Sequence, residues 1–140
     1  MPGNERPKPI VARSSLRAQS QTRNSSAASS KTSTSSNHQA AQAGLRASVE
    51  EPTKVTEYNI NGSQTILEAA RKHDVTRGVN ASSSSVYGKP EYLPYDEAHP
   101  NEPVSPYGAS KLAVEHYMRV YNEVCGLPTV SLRYFTVYGP

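Results

Sequence analysis

The sequence predicts an α/β segment built on parallel strands, a part of a doubly wound sheet rather than the whole of one. Three observations point there. From residue 52 onward, helix-period and strand-type stretches alternate in the order helix, strand, helix, strand. The second helix carries its own start and stop signals. Residues able to do chemistry fall just after the strands, where ligands gather in open α/β sheets.

The 140 residues suffice for one small domain, but they are not uniform. Residues 1–37 hold ten serines, six Lys/Arg, one acidic residue (Glu5) and no aromatic residue. Residues 38–140 hold nine Lys/Arg, eleven Asp/Glu, all nine tyrosines and Phe135. The basic character therefore belongs to the first stretch. Such a composition cannot bury enough apolar surface to offset its chain entropy, so 1–37 is expected to be a disordered Ser/Arg-rich tail. It has no dense basic cluster, aromatic interleaving or amphipathic period, and nucleic acid is not the expected partner. It also lacks the apolar run of a secretory leader. No stretch of the chain is long and apolar enough to span a membrane, and the expected setting is cytoplasmic. One cysteine, Cys125, allows neither an internal disulfide nor a cysteine-based metal site, and no metal is expected.

Order is expected to begin near His38. Asn37–Ser48 is rich in small residues and suits a loop or short turn. Pro52 can open a helix to about Lys72, with Asn59, Gly62, Ile66 and Ala70 on one face and Leu67 and Ala69 extending it. Gly62 inside that helix costs about 1 kcal/mol relative to alanine, which suggests a close backbone approach there. Arg77–Ser82 reads as a short strand, weakened by Gly78, and 89–104 as a loop rich in Pro, Glu and Tyr. Ser105 can cap the next helix with Pro106 at its first position. Leu112, Ala113, His116, Tyr117, Val120, Tyr121 and Val124 recur at helical spacing, and Gly126 with Pro128 stops the helix. Thr129–Phe135 is an apolar, β-branched strand, and Val137–Pro140 begins a loop. Two strands are too few for a stable sheet of this kind, so the segment reads as the middle of a larger domain.

Tyr107 and Lys111 stand four apart on one helix face. At that spacing an ammonium can lower a phenol's pKa from about 10 towards neutrality, giving a usable proton acceptor. A serine from the preceding strand end would complete a Ser/Tyr/Lys set. Singly, each feature is commonplace: Tyr-x-x-x-Lys is usually a surface pair, a serine run usually a loop, and His73, His116 and Cys125 ordinary helix residues.

Together they are more specific. From His38 on, five stretches occur in order: His38–Gly44 (HQAAQAG), Asn59–Gly62 (NING), Ala81–Gly88 (ASSSSVYG), Ser105–Lys111 (SPYGASK) and Arg133–Pro140 (RYFTVYGP). In these, residues 38–140 resemble the extended short-chain dehydrogenase/reductase family, specifically its nucleotide-sugar epimerases and dehydratases. The resemblance implies the second half of a Rossmann-like doubly wound sheet, with residues 1–37 outside it. It implies NAD as cofactor and a UDP-sugar as substrate. Ser83, Tyr107 and Lys111 would be catalytic. Asn59, Tyr107, Lys111 and Phe135 would serve the cofactor, and Ser83, Ser84, Tyr107 and Thr136 the substrate. Tyr107 would take the proton of a sugar 4-hydroxyl as the C4 hydride passes to the nicotinamide, and a 4-keto sugar would then be reduced on its other face.

Dehydratases resembling this family carry an Asp-Glu pair where this chain has Ser84-Ser85, which argues for epimerisation. The motifs are similar to those of both UDP-glucose and UDP-glucuronate 4-epimerases, with Ser105–Lys111 nearer the former. Thr136 replaces the asparagine of many relatives, which leaves the sugar open. The 140 residues contain no glycine-rich G-x-x-G-x-x-G turn of the kind that holds a pyrophosphate. The chain is therefore expected to be a fragment, inactive alone, whose residues 1–37 come from an unrelated frame or sequence. Two other readings stand beside this: a dehydratase or reductase of the same family, and a non-enzymatic interaction fragment that dimerises through helices 53–72 and 107–124.

Overall fold

The computed structural model describes residues 35–139. Three parallel strands form one sheet in the order β1-β2-β3: Ser35–His38, Arg77–Ser83 and Thr129–Tyr134. Ser35–Asn37, expected at the end of a tail, thus belong to a strand, while residues 1–34 of that tail lie outside the described residues. Composition reports apolar burial alone. An edge strand also gains backbone hydrogen bonds, here through pairing of Ser35–His38 with Arg77–Asn80. The expected two strands become three.

Between β1 and β2 lie α1 (Leu45–Glu50), α2 (Pro52–Val55), a π-helical turn (Thr56–Asn61) and α3 (Gly62–Lys72). The stretch 52–72 is one helical run, as its pattern predicts, but with a wide turn in its middle. Leu45–Ser48, expected as loop or turn, begin a helix instead. Ser48 is buried there, its hydroxyl donating to the Leu45 carbonyl at 2.6 Å. The inward face of the long run is Val55, Asn59, Ser63, Leu67 and Ala70. Ala69 is exposed, contrary to expectation. Gly62 marks no close approach either: a Cβ there would meet nothing nearer than the Glu57 carbonyl oxygen at 3.9 Å.

β2 is followed by a single 3₁₀ turn, Ser84–Val86, and a long loop with no helix or strand. α4 (Pro106–Cys125) then crosses to β3. Its cap is as the sequence predicts: Ser105 Oγ accepts from the Gly108 N–H at 3.0 Å, with Pro106 at the first position. Gly126 closes the helix in the left-handed region at φ 67°.

The core lies between α3 and α4 on one side of the sheet: Leu67, Ala70, Val114, Met118, Tyr121 and Leu127, flanked by Val75 and Tyr117. Each fully buried aliphatic side chain contributes about 1.5–3 kcal/mol of transfer free energy. The inward face of α4 is Lys111, Val114, Met118 and Tyr121, rotated from the apolar positions expected. Val120 and Val124 are exposed at 49% and 78%, and His116 is exposed too. Apolar residues were the only signal available, whereas Ser110 and Lys111 are buried because the fold supplies their hydrogen-bond partners. Among the described residues no helix is long and apolar enough to cross a membrane.

Candidate functional site

At the carboxyl ends of the strands lies an open cleft of about 330 Å³. Its walls are the loop after β1 (Gln39, Ala41, Ala43), the end of β2 with the serine turn (Ala81–Ser85), the start of α4 (Tyr107, Lys111) and the end of β3 (Tyr134, Phe135, Thr136). Ser83, Ser84, Tyr107, Lys111, Phe135 and Thr136, predicted as site residues from separate parts of the chain, are therefore brought together. Asn59 is not on the wall.

Lys111 is nearly fully buried, and its Nζ donates to the Ala81 carbonyl at 2.7 Å. It lies 5.8 Å from the centroid of the Tyr107 ring. Burial lowers the pKa of the ammonium, because the charged form loses hydration that one carbonyl only partly replaces. Tyr107 is half-buried. Ser83 caps the 3₁₀ turn, its Oγ accepting from the Ser85 N–H at 3.2 Å and lying 3.2 Å from Ser85 Oγ. The turn holds its hydroxyl at the cleft. Gly108 brings the helix against this turn: a Cβ there would lie 2.5 Å from the Ser85 carbonyl oxygen.

Asn59 works from behind the cleft. It is 1% exposed, and its Oδ1 accepts from the Gln42 N–H at 2.7 Å. Its Nδ2 donates to the Gln42 carbonyl at 3.3 Å and to Ser110 Oγ at 2.9 Å. Ser110 Oγ in turn donates to the Tyr107 carbonyl at 2.7 Å. One amide thus ties the loop after β1 to the first turns of α4. It sits inside the π-helical turn, a distortion often found at functional sites.

Several neighbours, His38, Glu115, Arg133, Tyr87, Tyr95 and His99 among them, were given no role by the sequence. His38, at the end of β1, has its Nε2 2.8 Å from Ser63 Oγ, which itself donates to the Asn59 carbonyl at 2.5 Å. Burial, and then the Lys111 charge, lower the His38 pKa. Glu115 accepts from Ser82 Oγ at 2.5 Å and from Arg133 at 2.8 and 3.0 Å, and its carboxylate holds the guanidinium above the ordinary arginine range. Tyr87, Tyr95, His99 and Phe135 form an aromatic cluster beside the cleft, Tyr87 and Tyr95 stacking at 5.2 Å. His99 is buried, its Nε2 accepting from the Glu91 N–H at 3.1 Å and its Nδ1 facing the Pro100 carbonyl at 3.0 Å. Most of these pairings join residues distant in the chain, so only the fold assembles them. Among the described residues no group of three or more His, Cys, Asp or Glu could hold a metal ion, and Cys125 is exposed.

The wall brings together a phenol, an ammonium one turn away, a fixed hydroxyl and an exposed phenyl ring, groups of the kind that can carry proton transfer. The chain matches the profile of the NAD dependent epimerase/dehydratase family over residues 10–140. The match begins upstream of His38, within the stretch set apart on composition. A putative UDP-glucose 4-epimerase of Methanocaldococcus jannaschii is 50% identical over 103 residues, 73% of this chain and 34% of that protein. A probable UDP-glucuronate 4-epimerase of Rhizobium meliloti is 41% identical, over 74% of this chain and 30% of that protein. Among solved structures, UDP-glucose 4-epimerase of Thermus thermophilus in complex with NAD aligns with a TM-score of 0.73 and 48% identity, over 76% of this chain and 35% of that one. The chain spans about a third of the length of the curated relatives it matches.

Proposed function

The chain belongs to the NAD dependent epimerase/dehydratase family, and on that premise we propose that its cleft carries the proton-handling half of a UDP-sugar 4-epimerase. The observation that carries the reading is the convergence of Ser83, Tyr107, Lys111 and Phe135 on one wall. In this reading Tyr107 accepts the proton of the sugar 4-hydroxyl and later returns it. Ser83, held by the Ser85 N–H, donates a hydrogen bond to the same sugar oxygen. Lys111, fixed on Ala81, places a positive charge behind the phenol and hydrogen-bonds the ribose of the cofactor. A positioned proton acceptor of this type contributes a factor of about 10²–10⁴.

The residues present fit the nicotinamide end of NAD. Ala41 and Ala43 line the cleft with small side chains, and Phe135, 50% exposed, offers a ring at its edge. NAD, when bound, supplies the hydride acceptor and donor. Thr136 faces the sugar, with Ser84 beside Ser83. UDP-glucose is the proposed sugar nucleotide, on the likeness to the archaeal and Thermus proteins; UDP-glucuronate is the competing substrate.

Isothermal calorimetry of the full chain with NAD⁺ tests the reading. Saturable binding that Lys111→Met abolishes supports it. No binding at millimolar NAD⁺, or binding indifferent to Lys111→Met, refutes it for this chain. A second reading rests on the outer faces of helices 53–72 and 107–124, where Tyr58, Val120 and Val124 are 55%, 49% and 78% exposed. These would join two copies, and sedimentation of the wild type against Val120→Glu/Val124→Glu decides it.

A further inference from the structure

Glu115 sits on α4 one turn beyond Lys111, and donors from both neighbouring strands converge on its carboxylate. Ser82 Oγ reaches Oε1 at 2.5 Å, Arg133 Nε reaches the same oxygen at 3.0 Å, and Arg133 Nη2 reaches Oε2 at 2.8 Å. The pair is well shielded, with side-chain exposures of 19% for Arg133 and 12% for Glu115. Ser82 and Arg133 are register partners on β2 and β3. One carboxylate therefore ties the helix to both strands, in the row that carries Ser82 on the cleft wall. From that row the chain runs one residue to Ser83 on one rim and two residues to Phe135 on the other. The guanidinium also lies 4.8 Å from the centroid of the Tyr87 ring, which stacks on Phe135 at 6.3 Å.

Of Glu115, Arg133, Tyr87 and Ser82, only Ser82 lines the cleft, and proton transfer by Tyr107 does not require them. Stability alone does not explain them either. Removing two charges from water costs about as much as their attraction returns, and apolar replacements of similar volume are often as stable. What a bidentate guanidinium–carboxylate pair adds is direction, because the planar fork accepts a narrow range of carboxylate positions. We propose that Glu115, acting through Arg133 and Ser82, is a positioning residue that sets the separation and orientation of the two rims of the cleft, Ser83 and Phe135. The proposal rests on the reading of the cleft as a nicotinamide-cofactor site.

The test uses the full 140-residue chain, with three readouts: melting temperature, ring-to-ring nuclear Overhauser contacts between Tyr87 and Phe135, and titration with NADH followed by its fluorescence. The decisive variant is Glu115→Met/Arg133→Met, which replaces the ion pair with apolar groups of similar length. The expected result is a melting temperature near that of the wild type, loss of the Tyr87–Phe135 contacts, and NADH binding weakened about ten- to a hundredfold, the scale of a misplacement near 1 Å. Arg133→Lys, which keeps the charge without the fork, should fall between. A double variant with wild-type ring contacts and wild-type NADH affinity overturns the proposal. If the double variant does not fold, Arg133→Lys decides: unchanged ring contacts and affinity overturn the proposal, and weakened binding at an unchanged melting temperature upholds it. If the wild type binds no NADH, the cofactor reading of the cleft fails, and the ring contacts alone decide whether Glu115 positions the rims.

Discussion

Two helical glycines should respond to alanine with opposite signs, and the contrast probes how α4 is seated. Gly108 lies between Tyr107 and Lys111, in the first turn of α4. A Cβ at Gly108 would stand 2.5 Å from the Ser85 carbonyl oxygen and 3.0 Å from the Pro103 Cβ, and the nearest obstacle is backbone. Restoring an ordinary 3.4 Å contact requires the helix start and the serine turn to separate by about 0.9 Å. Overpacking of this kind costs about 1–3 kcal/mol, offset by up to about 1 kcal/mol from the better helix propensity of alanine. The expected net effect of Gly108→Ala is a loss of about 1.5 kcal/mol, within a span of about 0–3 kcal/mol. Gly62, at φ −60° and ψ −46°, has its nearest obstacle at 3.9 Å. There the propensity gain stands unopposed, and Gly62→Ala should stabilise by about 0.5–1 kcal/mol. Urea unfolding followed by far-ultraviolet circular dichroism measures both. The same displacement moves Tyr107 away from Ser83, so Gly108→Ala should also weaken NADH binding about tenfold or more, while Gly62→Ala leaves it unchanged. A Gly108→Ala chain as stable as the wild type, with Gly62→Ala behaving as expected, would refute the seating of α4 on the serine turn.

Three further outcomes follow from the same contacts. Ser105→Ala removes the N-cap acceptor of the Gly108 N–H and should cost about 1 kcal/mol, with Ser105→Gly costing only a few tenths, in the same urea assay. The folded-state pKa of His38 lies below its ordinary 6.5, so the unfolded chain takes up the proton first as pH falls; stability should be full above about pH 6.5 and decline below it, and His38→Asn should remove that part of the acid limb in urea midpoints between about pH 7.5 and 5.5. Glu68 is held down to about 2, first by the Arg71 hydrogen bond and then by that from Tyr121, whose hydroxyl lies 2.5 Å away. The stabilisation it lends is present above about pH 4.5 and disappears as pH falls through about 2; carboxyl carbon shifts in Tyr121→Phe should show Glu68 titrating closer to the ordinary value, and an unmoved midpoint would assign the whole effect to Arg71.

Local signals carried the architecture a long way. The cap at Ser105–Pro106, the stop at Gly126, both longer strands and the helical run over 52–72 were legible because capping, periodicity and β-branching act within a few residues. The order of motifs marked Ser83, Tyr107, Lys111, Phe135 and Thr136 as one site, and the structure puts them on one cleft. β1 was hidden because its four residues, Ser35–His38, carry no apolar pattern and owe their strand to pairing with β2. The inward face of α4 is hidden from the apolar pattern for a related reason: Lys111 and Ser110 are polar, and burying them is tolerable only where Ala81 and Asn59 wait with hydrogen bonds.

What the sequence determined by itself is therefore the alternation of elements and the identity of the candidate site residues. Each depends on residue type and short spacing, which the chain carries wherever it is placed. The tertiary structure decided what those groups lean on: Asn59 joining Gln42 to Ser110, Glu115 gathering Ser82 and Arg133, and Gly108 pressed against Ser85. Most of these partners stand between 17 and 51 residues apart in the chain. No local propensity encodes such a pairing, because a hydrogen bond or a van der Waals limit exists only once the sheet has brought its two halves within reach.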